Sequence, residues 1–221
     1  MEFDFSKLSA KDKYKLLTST VIPRPIALVS TVDEDGRVNA APYSFFNMVS
    51  EDPPTCVLGI QRRPDGRPKD TAHLIREQGE FVVNMVDMAL ADAMNITAIN
   101  FEPGVDEVEM ARLHTIPSRF IKPPRIAEAP VAFECRRTVT LQLSAERDIV
   151  VGQVLTMHVR DGLIDPKTLY LDQSRYDAVG RLYADLYCPL RDVFALKRPE
   201  PEQWLADPSQ PMPAKQPVGP R

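Results

Sequence analysis

Short apolar runs and two-residue alternation dominate the chain. Residues 26–32 (IALVSTV) form an apolar run of strand length. It is entered through Pro23-Arg24-Pro25, which cannot sit in a central ladder. Asp33-Glu34-Asp35-Gly36 has the composition of a tight turn, so residues 38–41 return as the second strand of a hairpin. A second run, 55–60, begins after Pro53-Pro54, and 81–86 (FVVNMV) supplies a further strand. Two longer β-runs, 131–143 and 149–159, are joined by a polar turn around 145–148. In the first, Val139, Leu141 and Leu143 alternate with Thr138, Thr140 and Gln142, the period of a half-buried strand.

Helical spacing is weaker and local. Residues 6–18 set Leu8, Leu16 and Leu17 among lysines, a weak helix. Asp70 or Thr71 suits the cap of a short helix over 72–78, stopped by Gly79. Asp87 suits the cap of a helical stretch over 88–99, and 106–113 adds one short turn. Regular βαβ alternation is missing, which disfavours a doubly wound sheet. The expected architecture is mainly β with helices, a barrel decorated with inserted helices, over residues 1–198. The tail 199–221 holds 7 of the 21 prolines in 23 residues. It reads as an extended arm or a disordered end, and as a partner-wrapping segment if Trp204 is buried. No internal repeat is visible.

Composition narrows the function. The 221 residues are 43% hydrophobic and 26% charged, globular values, and the net charge of −4 lacks the basic footprint of a nucleic-acid binder. With 21 Pro against 9 Gly, a long helical bundle is excluded. The charged N-terminal segment MEFDFSKLSAKDKYKLL has no apolar core of a secretory signal, and no run approaches the roughly 18 apolar residues of a membrane span. A cytoplasmic protein without a membrane segment is expected. Cys56, Cys135 and Cys188 form no CxxC pair and read as reduced structural thiols. His73, His114 and His158 lack zinc-ligand spacing, so no metal is expected, and His73 reads as a surface or interface residue. There is neither GxGxxG nor GxxxxGK[ST], so neither a Rossmann turn nor a P-loop holds any phosphate-bearing ligand.

Two segments carry candidate chemistry. In 39–54 (NAAPYSFFNMVSEDPP), Asn39, Ser44, Asn47 and Ser50 recur among Tyr43, Phe45, Phe46, Met48 and Val49. This is either a strand with one polar face or a wall of short donors and acceptors beside flat apolar side chains, suited to an aromatic ligand such as a flavin ring. Arg62-Arg63, Arg67 and Lys69 then lead into Asp70-Thr71 at a helix start. That is either a solvated basic loop or a seat for a dianionic phosphate. Together the two are the halves of a mononucleotide site. Asp106, Glu107 and Glu109 read as a solvated helix start.

In order along the chain, PRPIALVST (23–31), NAAPYSFFNMVSEDPP (39–54), KDT (69–71), GEFVVNMV (79–86), VDEVEMARL (105–113) and PPRIAEAPVAFEC (123–135) resemble the flavin reductase-like, FMN-binding split-barrel family; VVGQVLTMHV and DGLID (150–165) fit its closing strands. The resemblance covers roughly residues 15–190. It implies a split β-barrel of Greek-key type, a homodimer, and FMN held near the dimer interface. By similarity Lys69 and Thr71 meet the phosphate, with Ser44 or Arg24 as further candidates. Ser30, Thr31, Asn47 and the backbone of 42–46 (Pro42, Tyr43, Ser44, Phe45) approach the ribityl chain and ring, and Asn84 lies under the site. No residue takes a catalytic role, since hydride transfer to flavin N5 needs no general base. The implied activity is an NAD(P)H-dependent flavin (FMN) reductase, with NADH or NADPH as co-substrate and a flavin-dependent oxygenase or redox protein as partner. A tight FMN-holding electron-transfer protein (flavoredoxin-like) and a non-catalytic FMN-binding module are the alternatives. Gly180-Arg181-Leu182-Tyr183-Ala184 departs from the family, which reads Arg, Leu-Gly-Gly and then Tyr. The added bulk is expected to narrow the pocket over the ring, which favours the electron carrier.

Overall fold

The strand-forming runs pair as predicted, but they curl. The computed structural model describes residues 1–217 apart from Pro64, Pro103, Pro208 and Gln210. Part of the basic loop and the last four residues of the predicted tail therefore lie outside the described residues. The strands are β1 (Ala27–Val32), β2 (Val38–Tyr43), β3 (Phe46–Glu51), β4 (Pro54–Gln61), β5 (Glu80–Met85), β6 (Thr115–Ile116), β7 (Arg125–Ile126), β8 (Val131–Ser144), β9 (Arg147–Val159), β10 (Val179–Arg181), β11 (Tyr187–Pro189), β12 (Phe194–Ala195) and β13 (Gln216–Pro217). The helices are α1 (Ala10–Thr20), α2 (Asp70–Gln78), α3 (Ala91–Ile96), α4 (Glu107–Met110) and α5 (Pro201–Ala206).

Seven strands form one sheet in the order β2-β1-β5-β8-β9-β4-β3, and every adjacent pair is antiparallel. Its two edge strands, β2 and β3, are consecutive in the chain and separated only by Ser44 and Phe45. The sheet therefore curls until its edges meet at that corner, where the Gly59 N–H of β4 donates to the Phe45 carbonyl at 2.7 Å. One face of all seven strands fills the barrel. Ala27, Val29, Tyr43, Phe46, Cys56, Leu58, Ile60, Phe81, Val83, Cys135 and Val150 join Ala72 and Ile75 of α2 in a single apolar cluster. At Gly152 a Cβ would stand 2.4 Å from the Phe81 ring, so the inward Phe81 side chain requires glycine there. Cys56 and Cys135 face each other in this core with Sγ atoms 3.9 Å apart and no disulfide, as buried structural thiols should.

The outer face of β1 and β5 is covered as well. Ile26, Leu28, Val86, Leu90, Met94, Val108, Leu113 and Ile126 make a second cluster beneath α3, α4 and β7. This double coverage explains why 26–32 and 81–86 read as continuous apolar runs. Polar clamps hold the loop before β7 onto the barrel. The buried Glu134 carboxylate accepts from the N–H groups of Arg119 and Phe120 at 2.6 and 2.8 Å and bonds His158 Nε2 at 2.6 Å.

Several sequence expectations change. The helix over 88–99 is only α3: Asp87 accepts from the Leu90 N–H, the Thr97 hydroxyl turns back onto the Met94 carbonyl, and 98–99 tighten into turns bonded to Asn95 and Ile96. Val139, Leu141 and Leu143 are not half-buried but 39%, 50% and 63% exposed. The register shift at Arg137/Val139 leaves Thr138 as an extra residue and changes the outward face of β8, and the β8–β9 ribbon carries these residues away from the core. The proline-rich tail is not simply extended. It forms α5, with Pro201 in the first turn and Trp204 half-buried, and β13 returns to pair with β12. No helix among the described residues is long and apolar enough to cross a membrane.

Candidate functional site

α2 begins without a side-chain cap. The cap position is held by Lys69, not Asp70 or Thr71, and among the described residues no side chain bonds the first N–H groups of the helix. Asp70 pairs instead with Arg63 at 2.7 Å, and the Thr71 hydroxyl accepts from Asn39 Nδ2 at 2.9 Å. A nine-residue helix thus presents unpaired N–H groups and the positive end of its dipole to whatever lies before it.

What lies before it is a small, solvent-open pocket of about 80 Å³, below the roughly 300–1,000 Å³ of sites that enclose a whole small molecule and so a seat for one polar group. Its walls come from β2 (Asn39, Tyr43), the start of α2 (Lys69, Thr71), the loop after α3 and Glu107 of α4. The Lys69 ammonium makes no hydrogen bond or ion pair among the described residues; burial, and then the nearby Arg63 charge, pull its pKa down. The Tyr43 hydroxyl is buried without a close hydrogen bond among the described residues; desolvation drives its pKa up, against a smaller opposing pull from the neighbouring Thr71 hydroxyl. Asn39 bridges Thr71 to the buried Thr31 hydroxyl on β1 at 3.1 Å. Glu107 accepts from the Ala40 N–H at 3.3 Å, and burial, then Asp70 and Asp106, raise its pKa.

The predicted site residues therefore separate. Pro42, Tyr43, Lys69 and Thr71 line this pocket, with Thr31 joined through Asn39. Ser30 and Asn84 do not reach it. They lie on the opposite face of the strands, with Ser30 donating to the Pro124 carbonyl and Asn84 bonding Leu28, Ser30 and Ile126. Arg24 is a buried latch, donating to the carbonyls of Thr18, Val21 and Leu182 and to the Ser44 hydroxyl. Phe45 stacks on Tyr14 and lies under the Arg147 guanidinium. Asn47 is exposed and bonds the next N–H. His73 is exposed on α2. Among the described residues no cluster suits a metal ion.

Sequence reasoning left out Glu107 and the 97–101 loop. The loop was absorbed into an overlong helix, and Glu107 looked like one of three solvated acids. Only the burial of Val108, its neighbour on the same turn, distinguishes it. Tyr183 does not line this pocket; it is 44% exposed at the tip of the β10–β11 hairpin. Ala184 beside it takes a φ of 48°, the left-handed conformation for which glycine is favoured.

The chain is thus a curled antiparallel barrel with a cationic helix start opening onto a pocket. The chain belongs to the flavin reductase-like domain family, whose model matches residues 18–180. It is 37% identical to 2-nitrobenzoate 2-nitroreductase NbaA of Pseudomonas fluorescens (TM-score 0.83, covering 90% of this chain and 96% of that one). It is 34% identical to nitrilotriacetate monooxygenase component B of Bacillus cereus (TM-score 0.84, covering 89% and 98%). YwrF of Bacillus subtilis is 41% identical over 202 residues, 89% of this chain and 98% of YwrF. The flavoredoxin of Desulfovibrio vulgaris (Miyazaki F), 18% identical with a TM-score of 0.70 over 88% of this chain and 96% of that one, shares the fold. The barrel is accordingly a split barrel.

Proposed function

We propose that this protein is an FMN-binding oxidoreductase, an NAD(P)H-dependent flavin reductase. The observation that carries the reading is Lys69: an unpaired, partly desolvated ammonium at an uncapped helix start, beside the orphaned Tyr43 hydroxyl. A buried donor left without a partner is costly, and a phosphate oxygen relieves it. In this reading Lys69, Tyr43 and the first N–H groups of α2 hold the FMN phosphate, while Thr71 and Asn39 meet the hydroxyl chain. Asp70 does not oppose the anion in full, because Arg63 neutralises it. A bound flavin supplies a ring that accepts hydride at N5 from NADH or NADPH.

The family and the likeness to a monooxygenase component support a role in delivering reduced flavin to a partner oxygenase. A homodimer is part of this reading. Val139, Leu141 and Leu143 make an exposed apolar strip that a second copy would cover.

The test is optical. The purified protein should be yellow, or turn yellow with added FMN, and anaerobic NADH or NADPH should bleach the flavin band. A yellow protein unmoved by either nucleotide replaces the reductase with the electron carrier. A colourless protein that ignores FMN removes both.

A further inference from the structure

Glu107 is out of place in an anion pocket. It shares the walls with Lys69, yet it makes no ion pair among the described residues, and its one hydrogen bond is the Ala40 N–H at 3.3 Å. The fold gives it little freedom to leave. Asp106 caps the α4 turn by accepting from Val108 and Glu109 N–H at 2.8 and 3.1 Å, and Val108 is buried beneath. The ionisable groups around it are Asp106 on its own turn, Asp70 paired with Arg63, Lys69, and Tyr43 of β2. Lys69 alone has charge to spare, and a bound phosphate would claim it.

An ionised carboxylate beside a seated dianion is repelled by it, whereas a protonated one can donate to a phosphate oxygen. We propose that Glu107 couples occupancy of this pocket by a phosphomonoester to the uptake of one proton, the carboxyl being neutral opposite the bound anion. The inference rests on the reading that the pocket seats the FMN phosphate, and it makes Glu107 a residue that sets the pH range of binding. Burial of the empty site already favours the neutral form. The sign is fixed: as pH rises, Glu107 ionises in the empty pocket and must be reprotonated on binding, so affinity falls.

The experiment compares FMN affinity, read by quenching of flavin fluorescence, between wild type and Glu107→Gln from about pH 5 to about pH 8. The glutamine amide oxygen can still accept from Ala40, so the turn is kept. The phosphate's own second ionisation, near roughly pH 6, moves both curves alike and cancels in the ratio of dissociation constants. That ratio is expected near unity at the acid end, with wild type becoming about tenfold weaker than the variant at the alkaline end. Riboflavin, which lacks the phosphate, should show no such trend. FMN binding in unbuffered solution should take up close to one proton in wild type and less in the variant. A ratio independent of pH, or a variant weaker throughout, overturns the coupling while leaving the phosphate seat intact. If neither protein binds FMN at any pH, or FMN binds no better than riboflavin, the seat itself fails and the coupling with it.

Discussion

The two faces of β1 carry polar groups of opposite character. On the outer face, Ser30 and Asn84 sit among apolar neighbours with their polar atoms engaged. Asn84 donates to the Leu28 carbonyl at 2.9 Å and to Ser30 at 3.1 Å and accepts from Ile126 N–H at 2.9 Å, and Ser30 donates to Pro124 at 2.6 Å. On the inner face, Thr31 leads through Asn39 to a pocket where, among the described residues, neither the Tyr43 hydroxyl nor the Lys69 ammonium has a close partner. Both regions look alike in sequence, as short polar residues in apolar strands. Only the accounting of hydrogen bonds separates them. A buried group whose bonds are complete is architecture, and one whose bonds are incomplete is waiting for something the chain does not supply.

Asn84→Ala should show the largest effect on this contrast. It leaves the Ile126 N–H and the Leu28 carbonyl without their side-chain partner in a buried site, at a cost of about 3 kcal/mol in unfolding free energy. Denaturant midpoints would measure it, and the folded fraction should still bind FMN. Unchanged stability with lost binding would exchange the roles of the two faces. Lys69→Ala is the mirror experiment. FMN affinity should fall by about 1–3 kcal/mol, roughly 5–150-fold, because a charge-assisted bond to phosphate is lost. The stability of the protein without FMN should stay within about 0.5 kcal/mol, since no described contact of Lys69 is broken. Equal FMN affinity in the variant would remove Lys69 from the seat.

The barrel strands were legible because each signal was local: the apolar runs at 26–32 and 81–86, the turn at 33–36, and the prolines at 53–54. β8 was legible as a strand but not in its facing, because the register shift at Arg137/Val139, where Thr138 is the extra residue, reverses a parity that alternation assumes constant. The α2 start was placed within two residues, but its cap was misread. Asp70 and Thr71 are good caps in isolation and are claimed here by Arg63 and Asn39, partners 7 and 32 residues away in sequence. Glu107 was invisible for the same kind of reason. A carboxylate in DEVE has the composition of a solvated turn, and only the packing of α4 against β2 makes it a pocket wall.

The finest cut is Tyr43→Phe. The ring stays in the barrel cluster, and only the hydroxyl oxygen is removed. Were that hydroxyl part of the architecture, its loss would cost about 1 kcal/mol of stability, as for any buried hydrogen bond. It has no close partner among the described residues, the Thr71 hydroxyl making only a weak approach, so the protein without FMN should be nearly unchanged in stability. The cost should instead appear on binding, as about 1 kcal/mol or roughly fivefold weaker FMN affinity. Thermal midpoints without FMN, paired with FMN titrations, resolve the two. A destabilised variant that binds FMN normally would place Tyr43 with Asn84, among the groups that hold the fold rather than those that hold a ligand.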